Sequence, residues 1–384
     1  MHYERTMRGS MSWIKKILSI TGYILINSVL AFLLTELTLR YVFTPEVLAL
    51  RLKTNQFAAE QSRKSSAIFE HHSLHYRPAS KNHMLHAEYS IETVHDPLGF
   101  RNPCYASSDI NSANLILGDS FVYGTGLSDD YTFGCLLLNY GISSYTIGVP
   151  GADIPKLTSI LNLNIGPVKD VFQNLTKLHL VIFLGNDFES LVNYHEHSVS
   201  SKEKREAGDS PNFVNQVAGR LNYIVTTQPF FSESYALVSL KLVLMDMFIS
   251  RDKGLYYVNY GGSSFYKRSA EKPIKELEMS LHLVRKELSY HDIELSTIIL
   301  IEDPAALSSE RLERDALLGN FSPNDIDVRF KVDSLMTACV KVEIRCIETL
   351  SHLNEQDYYS HDNHLREKGA AKLIKIIAKS IADG

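Results

Sequence analysis

The sequence predicts a three-layer α/β/α sandwich, a mostly parallel sheet covered by helices on both faces, preceded by one N-terminal transmembrane helix. Three observations predict it. Short apolar runs recur from Leu115 onward, each the length of a strand buried on both faces. Stretches with helical character separate those runs, which is the rhythm of an α/β chain. Ahead of them, Ile17 to Thr35 is nineteen residues without a charge. At 1.5 Å per residue that run spans about 28 Å, close to the hydrocarbon thickness of a bilayer.

The membrane reading sets the first boundaries. Residues 1–16 form a basic tail with Arg5, Arg8, Lys15 and Lys16, and 17–43 form the anchor, with Trp13 and Tyr41 near its ends. Basic residues ahead of the span favour a cytoplasmic N-terminus and place the rest of the chain outside, in the periplasm of a single-pass inner-membrane protein. Arg40, Arg51 and Lys53 on the far side weaken that bias. A cleaved signal peptide is the competing reading. The apolar core is longer than a usual signal core, and no small-x-small cleavage site follows it.

Residues 44–112 read as a stalk and an irregular lead-in, with turn signals at Arg77-Pro78, Asp96-Pro97-Leu98-Gly99 and Asn102-Pro103. Its histidines at 71, 72, 75, 83, 86 and 95 have irregular spacing and are expected at the surface. From 113 to 382 the α/β pattern holds. Strands are expected at Leu115–Leu117, Ser144–Val149, Lys177–Leu184, Ser296–Ile301 and, last, Val340–Ile347. Helices are expected at Thr132–Asn139, Pro155–Leu163 and 366–382. An interruption at about 188–280 is too long for a plain loop and predicts a helical insertion. Its apolar stretch Tyr235–Ile249 carries Lys241 and Asp246, which disfavour a second span.

Composition narrows function. The 384 residues are 45% hydrophobic and 22% charged, with net charge −5 and no strongly basic region, so nucleic acid is not an expected partner. The cysteines at 104, 135, 339 and 346 show neither metal-ligand spacing nor a dense disulfide framework. They read as four thiols, with one bridge open as an alternative.

In open parallel sheets the ligand site lies beyond the carboxyl ends of the strands. Gly118-Asp119-Ser120 follows the first strand, Gly148 ends the second, and Gly185-Asn186-Asp187 follows the third. Asp362-Asn363-His364 stands near the C-terminus. A serine hydroxyl needs a base to take its proton, and a base needs a carboxylate to fix its tautomer. Ser120, His364 and Asp362 supply those three types. The oxyanion of acyl transfer needs donors, for which the Ser120 and Gly148 backbone N–H groups and the Asn186 amide are the candidates. Taken singly, Gly148 and Gly185 are as readily turn glycines, and Asn186 a helix cap. Their common position at strand ends favours the functional reading. Asp119 and Asp187 are expected to brace the turns beside Ser120 and Asn186.

These blocks, in this order, resemble the SGNH hydrolase superfamily of GDSL-type esterases and lipases, and membrane-anchored bacterial members in particular. Gly118-Asp119-Ser120 with Phe121-Val-Tyr-Gly-Thr-Gly126 matches the nucleophile block. Gly148 in Ile147-Gly-Val-Pro-Gly151 matches the second, although Thr146 stands where many relatives carry Asn. Gly185-Asn186-Asp187 matches the third. Asp362 and His364 match the last, in a shorter Asp-x-His form than the usual Asp-x-x-His. The resemblance covers roughly 92–380 and includes the lead-in His95-Asp-Pro-Leu-Gly-Phe-Arg101. It implies a flavodoxin-like sheet, catalytic roles for Ser120, His364, Asp362, Gly148 and Asn186, and no cofactor or metal. It implies hydrolysis of acyl esters, with acetyl groups on envelope carbohydrate or lipid as candidates. O-acyl transfer to an extracytoplasmic polysaccharide and an inactive envelope-binding protein are the alternatives.

Overall fold

A computed structural model of the protein describes residues 21–42, 76–86, 88–104, 114–194, 234–237, 239, 255–257, 264–319, 321–360 and 362–382. The chain divides into two compact units, Met1–Glu60 with Asn212–Ile249, and Gln61–Pro211 with Ser250–Gly384.

In the first unit, helix α1 (Thr21–Val42) is long and apolar enough to cross a membrane. Ile24, Leu25, Leu30, Leu34 and Leu37 are exposed along it. Its last five residues, Thr38–Val42, widen into a π turn. Glu36 stands one turn before the end. Its carboxylate accepts from Ser234 Oγ at 2.9 Å and from the Tyr235 and Ala236 N–H groups at 3.2 and 2.8 Å. Arg40, one turn on, bonds the same carboxylate and lies over the Tyr235 ring. The insertion thus meets the apolar helix through a carboxylate that satisfies backbone donors. Most of the stretch 235–249 lies outside the described residues.

In the second unit, five strands form one parallel sheet: β3 (Asn114–Gly118), β4 (Ser144–Gly148), β5 (Lys177–Phe183), β8 (Glu294–Ile301) and β9 (Arg345–Glu348), in the order β4-β3-β5-β8-β9. Side chains alternate along each strand, so one sheet feeds two cores. Leu115, Leu117, Leu180, Ile182 and Leu300 pack beneath α4 (Ile154–Val171), α6 (Ile274–Ser289) and α9 (Phe330–Lys341). Ile116, Val181, Ile299 and Ile301 pack on the other face against α3 (Phe133–Leu138) and α10 (Glu367–Ala382). This is the predicted three-layer sandwich. The strand order reverses between β3 and β5, and such a switch point opens a crevice at the strands' carboxyl ends. Shorter helices fill those ends: α2 (Ser120–Tyr123), α5 (Asp187–Val192), α7 (Pro304–Leu307) and α8 (Ser309–Gly319).

Several expectations change. Val340 and Lys341 finish α9, and the last strand starts only at Arg345; Val340 is 76% exposed at the helix end. The apolar alternation Val340, Val342, Ile344 imitated a strand across a helix end and a turn that takes Glu343 to φ 54°. α4 runs through Gly166-Pro167 to Val171, because its buried face, Ile160, Leu161, Ile165 and Val168, continues past the proline. α6 belongs to the main core through Leu277, Leu281, Val284 and Leu288, so the interruption of the α/β rhythm ends before Ile274. Within it a small hairpin, β6 (Leu255–Tyr257) with β7 (Ser264–Tyr266), is described.

The described part of the lead-in, 76–86 and 88–104, contains regular structure. Lys81–Leu85 (β1) and Ser90–Val94 (β2) form an antiparallel hairpin. The cysteines form two disulfides, Cys104–Cys135 and Cys339–Cys346, rather than four thiols. The first ties the lead-in to α3; the second ties the end of α9 to β9. Spacing alone hid both, since one pair is far apart in sequence and the other straddles a helix–strand turn.

Candidate active site

Ser120 opens α2 directly after β3. Asp119 caps that short helix, its Oδ1 accepting the Phe121 N–H at 3.0 Å. Two glycines let the helix sit low on the sheet. A Cβ on Gly118 would lie 2.5 Å from Val122 Cγ2, and one on Gly148 would lie 2.1 Å from the Tyr123 nitrogen. These glycines face each other across the β3–β4 ladder. Arg101, buried from the lead-in, closes the far end of α2: its guanidinium donates to the Gly124 and Leu127 carbonyls, both at 2.6 Å, and pairs with Asp129 at 2.9 Å. His95 Nε2 meets Tyr123 Oη at 3.1 Å, and Tyr76 stacks on both rings. Two of the lead-in histidines, His95 and His86, are therefore buried rather than at the surface.

His364 arrives on a closed loop. A bridge between Tyr358 and Leu365 fastens its ends, and the Tyr359 N–H donates to the His364 carbonyl at 3.0 Å. Leu365 is buried, and Gly369 lets α10 press against Asp357, whose carbonyl a Cβ would meet at 2.3 Å. Asp362 and His364 stand at the loop's crest.

Ser120, His364 and Asp362 come together as a relay. His364 Nε2 lies 2.7 Å from Ser120 Oγ, and His364 Nδ1 lies 2.5 Å from Asp362 Oδ1. The shorter Asp-x-His spacing works because Oδ1 also accepts the His364 backbone N–H at 3.2 Å, folding the carboxylate back over its own loop. Burial disfavours the imidazolium, but the Asp362 charge and hydrogen bond, with the Asp119 charge, outweigh it and raise the His364 pKa above its ordinary value. Burial likewise pushes Asp362 up, yet the His364 charge and hydrogen bond, with His86 and Tyr89, hold it well below the carboxylate range. The pair is thus set to keep Asp362 ionised and to stabilise a proton on His364, as a base attached to a nucleophile requires.

Asn186 follows β5 on the opposite lip. It occupies the cap position of α5 but makes no side-chain capping bond; its side chain lines the cleft that holds Ser120 and His364. Asn186 is therefore not the ordinary helix cap. Its neighbour Asp187 accepts the Phe183 N–H and braces the turn, and burial pushes its carboxyl well up. Lys331 fixes the same loop from below, donating to the Leu184 carbonyl and Ser264 Oγ, while the Ser264 N–H bonds the Gly185 carbonyl.

Gly148, an expected site residue, has a packing role at the end of β4. It is buried under Tyr123, and its missing side chain makes room for α2. Tyr89 and His86 line the cleft although the sequence pointed to neither. Tyr89 Oη donates to Asp362 Oδ2 at 2.9 Å across 273 residues. The cleft is open, about 340 Å³, with Phe121 and Phe183 stacked on its floor.

No family model matches the chain, and no curated protein matches it in sequence. Among solved structures, it is similar to a carbohydrate acetylesterase family member from Sinorhizobium meliloti, with 9% identity over 71% of this chain and 98% of that one and a TM-score of 0.34. It is also similar to an aryl esterase from M. smegmatis, with 8% identity over 71% and 99% and a TM-score of 0.33. At likenesses this distant, the functional reading rests on the site's own geometry.

Proposed function

We propose that the protein is a serine-dependent ester hydrolase that removes acyl groups through an acyl-enzyme. One observation carries the reading: Ser120 Oγ, His364 and Asp362 are in hydrogen-bonded sequence at 2.7 and 2.5 Å at the mouth of an open cleft. His364 takes the Ser120 proton as Oγ attacks the ester carbonyl, then gives it to the departing alcohol. Asn186 and the backbone at Ser120 hold the developing oxyanion, and water resolves the acyl-enzyme. The small cleft favours short acyl groups such as acetyl.

The apolar helix α1 and the two disulfides favour a catalytic unit outside the cytoplasm, where structural disulfides persist. Acyl esters of envelope carbohydrate or lipid are the substrates that location offers. Because the cleft is open, a sugar hydroxyl competing with water for the acyl-enzyme would make the same triad an O-acyltransferase.

The test is acid release from an aryl acetate. The full-length protein should turn it over, and Ser120→Ala and His364→Ala should each lose at least about 10³-fold in kcat. Turnover that survives both substitutions would end the reading. Added oligosaccharide that captures acetyl faster than water does would assign transfer instead.

A further inference from the structure

The hairpin in front of the sandwich has a use that the proposed triad alone does not require. Asp362 and His364 are only two residues apart, and that closeness spends Oδ1 of the carboxylate twice, on the His364 ring and on the His364 backbone N–H. Oδ2 is turned away from the base and is largely shielded from water, the Asp362 side chain being 13% exposed. A half-satisfied carboxylate in such a place costs stability and is free to rotate. Its own loop spends Oδ1 and turns Oδ2 toward the β1–β2 hairpin.

The tip of the β1–β2 hairpin supplies the donor for that oxygen. Tyr89 Oη donates to Oδ2 at 2.9 Å. His86 stacks on the Tyr89 ring at 4.6 Å and brings Nε2 to 3.9 Å from the same oxygen. The Glu88 N–H donates to His86 Nδ1 at 3.3 Å, which leaves the proton of the neutral ring on Nε2, facing Asp362. The tip is itself held to the catalytic loop. Glu88 Oε1 accepts the Ser360 N–H at 2.9 Å, and the Tyr89 ring packs on Tyr359, whose hydroxyl donates to the Gly126 carbonyl.

We infer that Tyr89 and His86 are positioning residues for the triad: the hairpin tip clamps the Asp362 carboxylate through Oδ2, and thereby sets the orientation of His364. The inference rests on the hydrolase reading of this same site. It makes the segment before the nucleophile block part of the catalytic apparatus rather than a spacer.

The titratable groups facing the Asp362–His364 pair are Asp119 from the nucleophile turn, His86 and Tyr89 from the hairpin, and Tyr359 from the pair's own loop. Of these, Tyr89→Phe changes only one hydroxyl and keeps both ring contacts. Loss of that donor returns negative charge to Oδ1 and loosens the carboxylate. The full-length protein in detergent should be assayed on an aryl acetate from about pH 5 to 9, as wild type, Tyr89→Phe and His86→Phe, with active sites counted by a fluorophosphonate. The expected result for Tyr89→Phe is about a tenfold lower kcat per labelled site with KM unchanged, and an acid limb moved up by roughly half a pH unit. His86→Phe should move both in the same direction by less. An unchanged acid limb with a raised KM would make Tyr89 a wall of the cleft and overturn the inference. So would a loss confined to the number of labelled sites. A wild-type protein that neither turns over ester nor labels at Ser120 would instead remove the hydrolase reading, and this inference with it.

Discussion

Replacing Gly148 by alanine is the sharpest single perturbation of how Ser120 is held. The added methyl would lie 2.1 Å from the Tyr123 nitrogen, 2.5 Å from its Cα and 2.6 Å from the Val122 carbonyl carbon, all backbone atoms that cannot swing aside. Ordinary contact begins near 3.4 Å, so α2 and β4 must separate by roughly 1.3 Å. Overpacking of this kind costs about 1–3 kcal/mol. A displacement of about 1 Å at a reacting group costs about 10²-fold in rate. The assay is paired: thermal unfolding, and the rate of Ser120 labelling by a fluorophosphonate. Gly141→Ala is the control, since Gly141 is exposed at φ 73° with nothing within 4 Å of its Cβ position. It should lose about 1 kcal/mol of stability to the left-handed backbone and keep its labelling rate. A Gly148→Ala protein that melts and labels like wild type would refute the packing account and leave Gly148 without a structural reason.

Three further outcomes follow from the same contacts. Asn186→Ala should lower kcat by about 10²–10³-fold with little change in melting temperature, because its side chain makes no capping bond to lose; steady-state kinetics beside a thermal melt would check both. The raised pKa of His364 places the acid limb of kcat/KM above the ordinary histidine value of about 6.5, since the base works only when neutral. Activity should therefore fall as pH drops through that raised value, and a pH–rate profile with its acid limb well below 6.5 would contradict the geometry. His95 is held neutral by burial and the Arg101 charge, its pKa pushed down to about 4. Between about pH 6.5 and 4 the unfolded chain binds a proton that the folded chain refuses, so stability falls on acidification by about 2 kcal/mol at pH 5. Denaturant melts of wild type and His95→Gln at pH 7 and 5 should show a smaller loss in the variant.

The sheet was legible because its strands are buried on both faces. Leu115–Leu117 and Leu180–Leu184 read as uninterrupted apolar runs, and their order along the chain implied a parallel sheet. Ser120 and Asn186 stood out because each follows a strand, where side chains converge in such a sheet; Asp362 and His364 lie on a loop past the last strand and stood out by residue type alone. The β1–β2 hairpin was not. Lys81-Asn82-His83-Met84-Leu85 and Ser90-Ile91-Glu92-Thr93-Val94 are mostly polar, and the fully buried member of the second is the polar Thr93, so no apolar period marks them. With the hairpin went Tyr89 and His86, whose role depends on a contact across 273 residues that no local pattern encodes. The packing role of Gly148 was hidden for a related reason. A glycine at a strand end looks the same in sequence whether it offers an N–H to a ligand or space to a helix. The position of Tyr123 above it shows the second.

The central claim is that Ser120 is a nucleophile activated by His364. The most direct measurement is mass detection of a fluorophosphonate adduct on the full-length protein, with the modified peptide sequenced. The account predicts one adduct, on Ser120, formed at a rate that rises with pH through the raised pKa of His364 and is abolished in His364→Ala. An adduct on another residue, or labelling of Ser120 that is indifferent to His364, would contradict it.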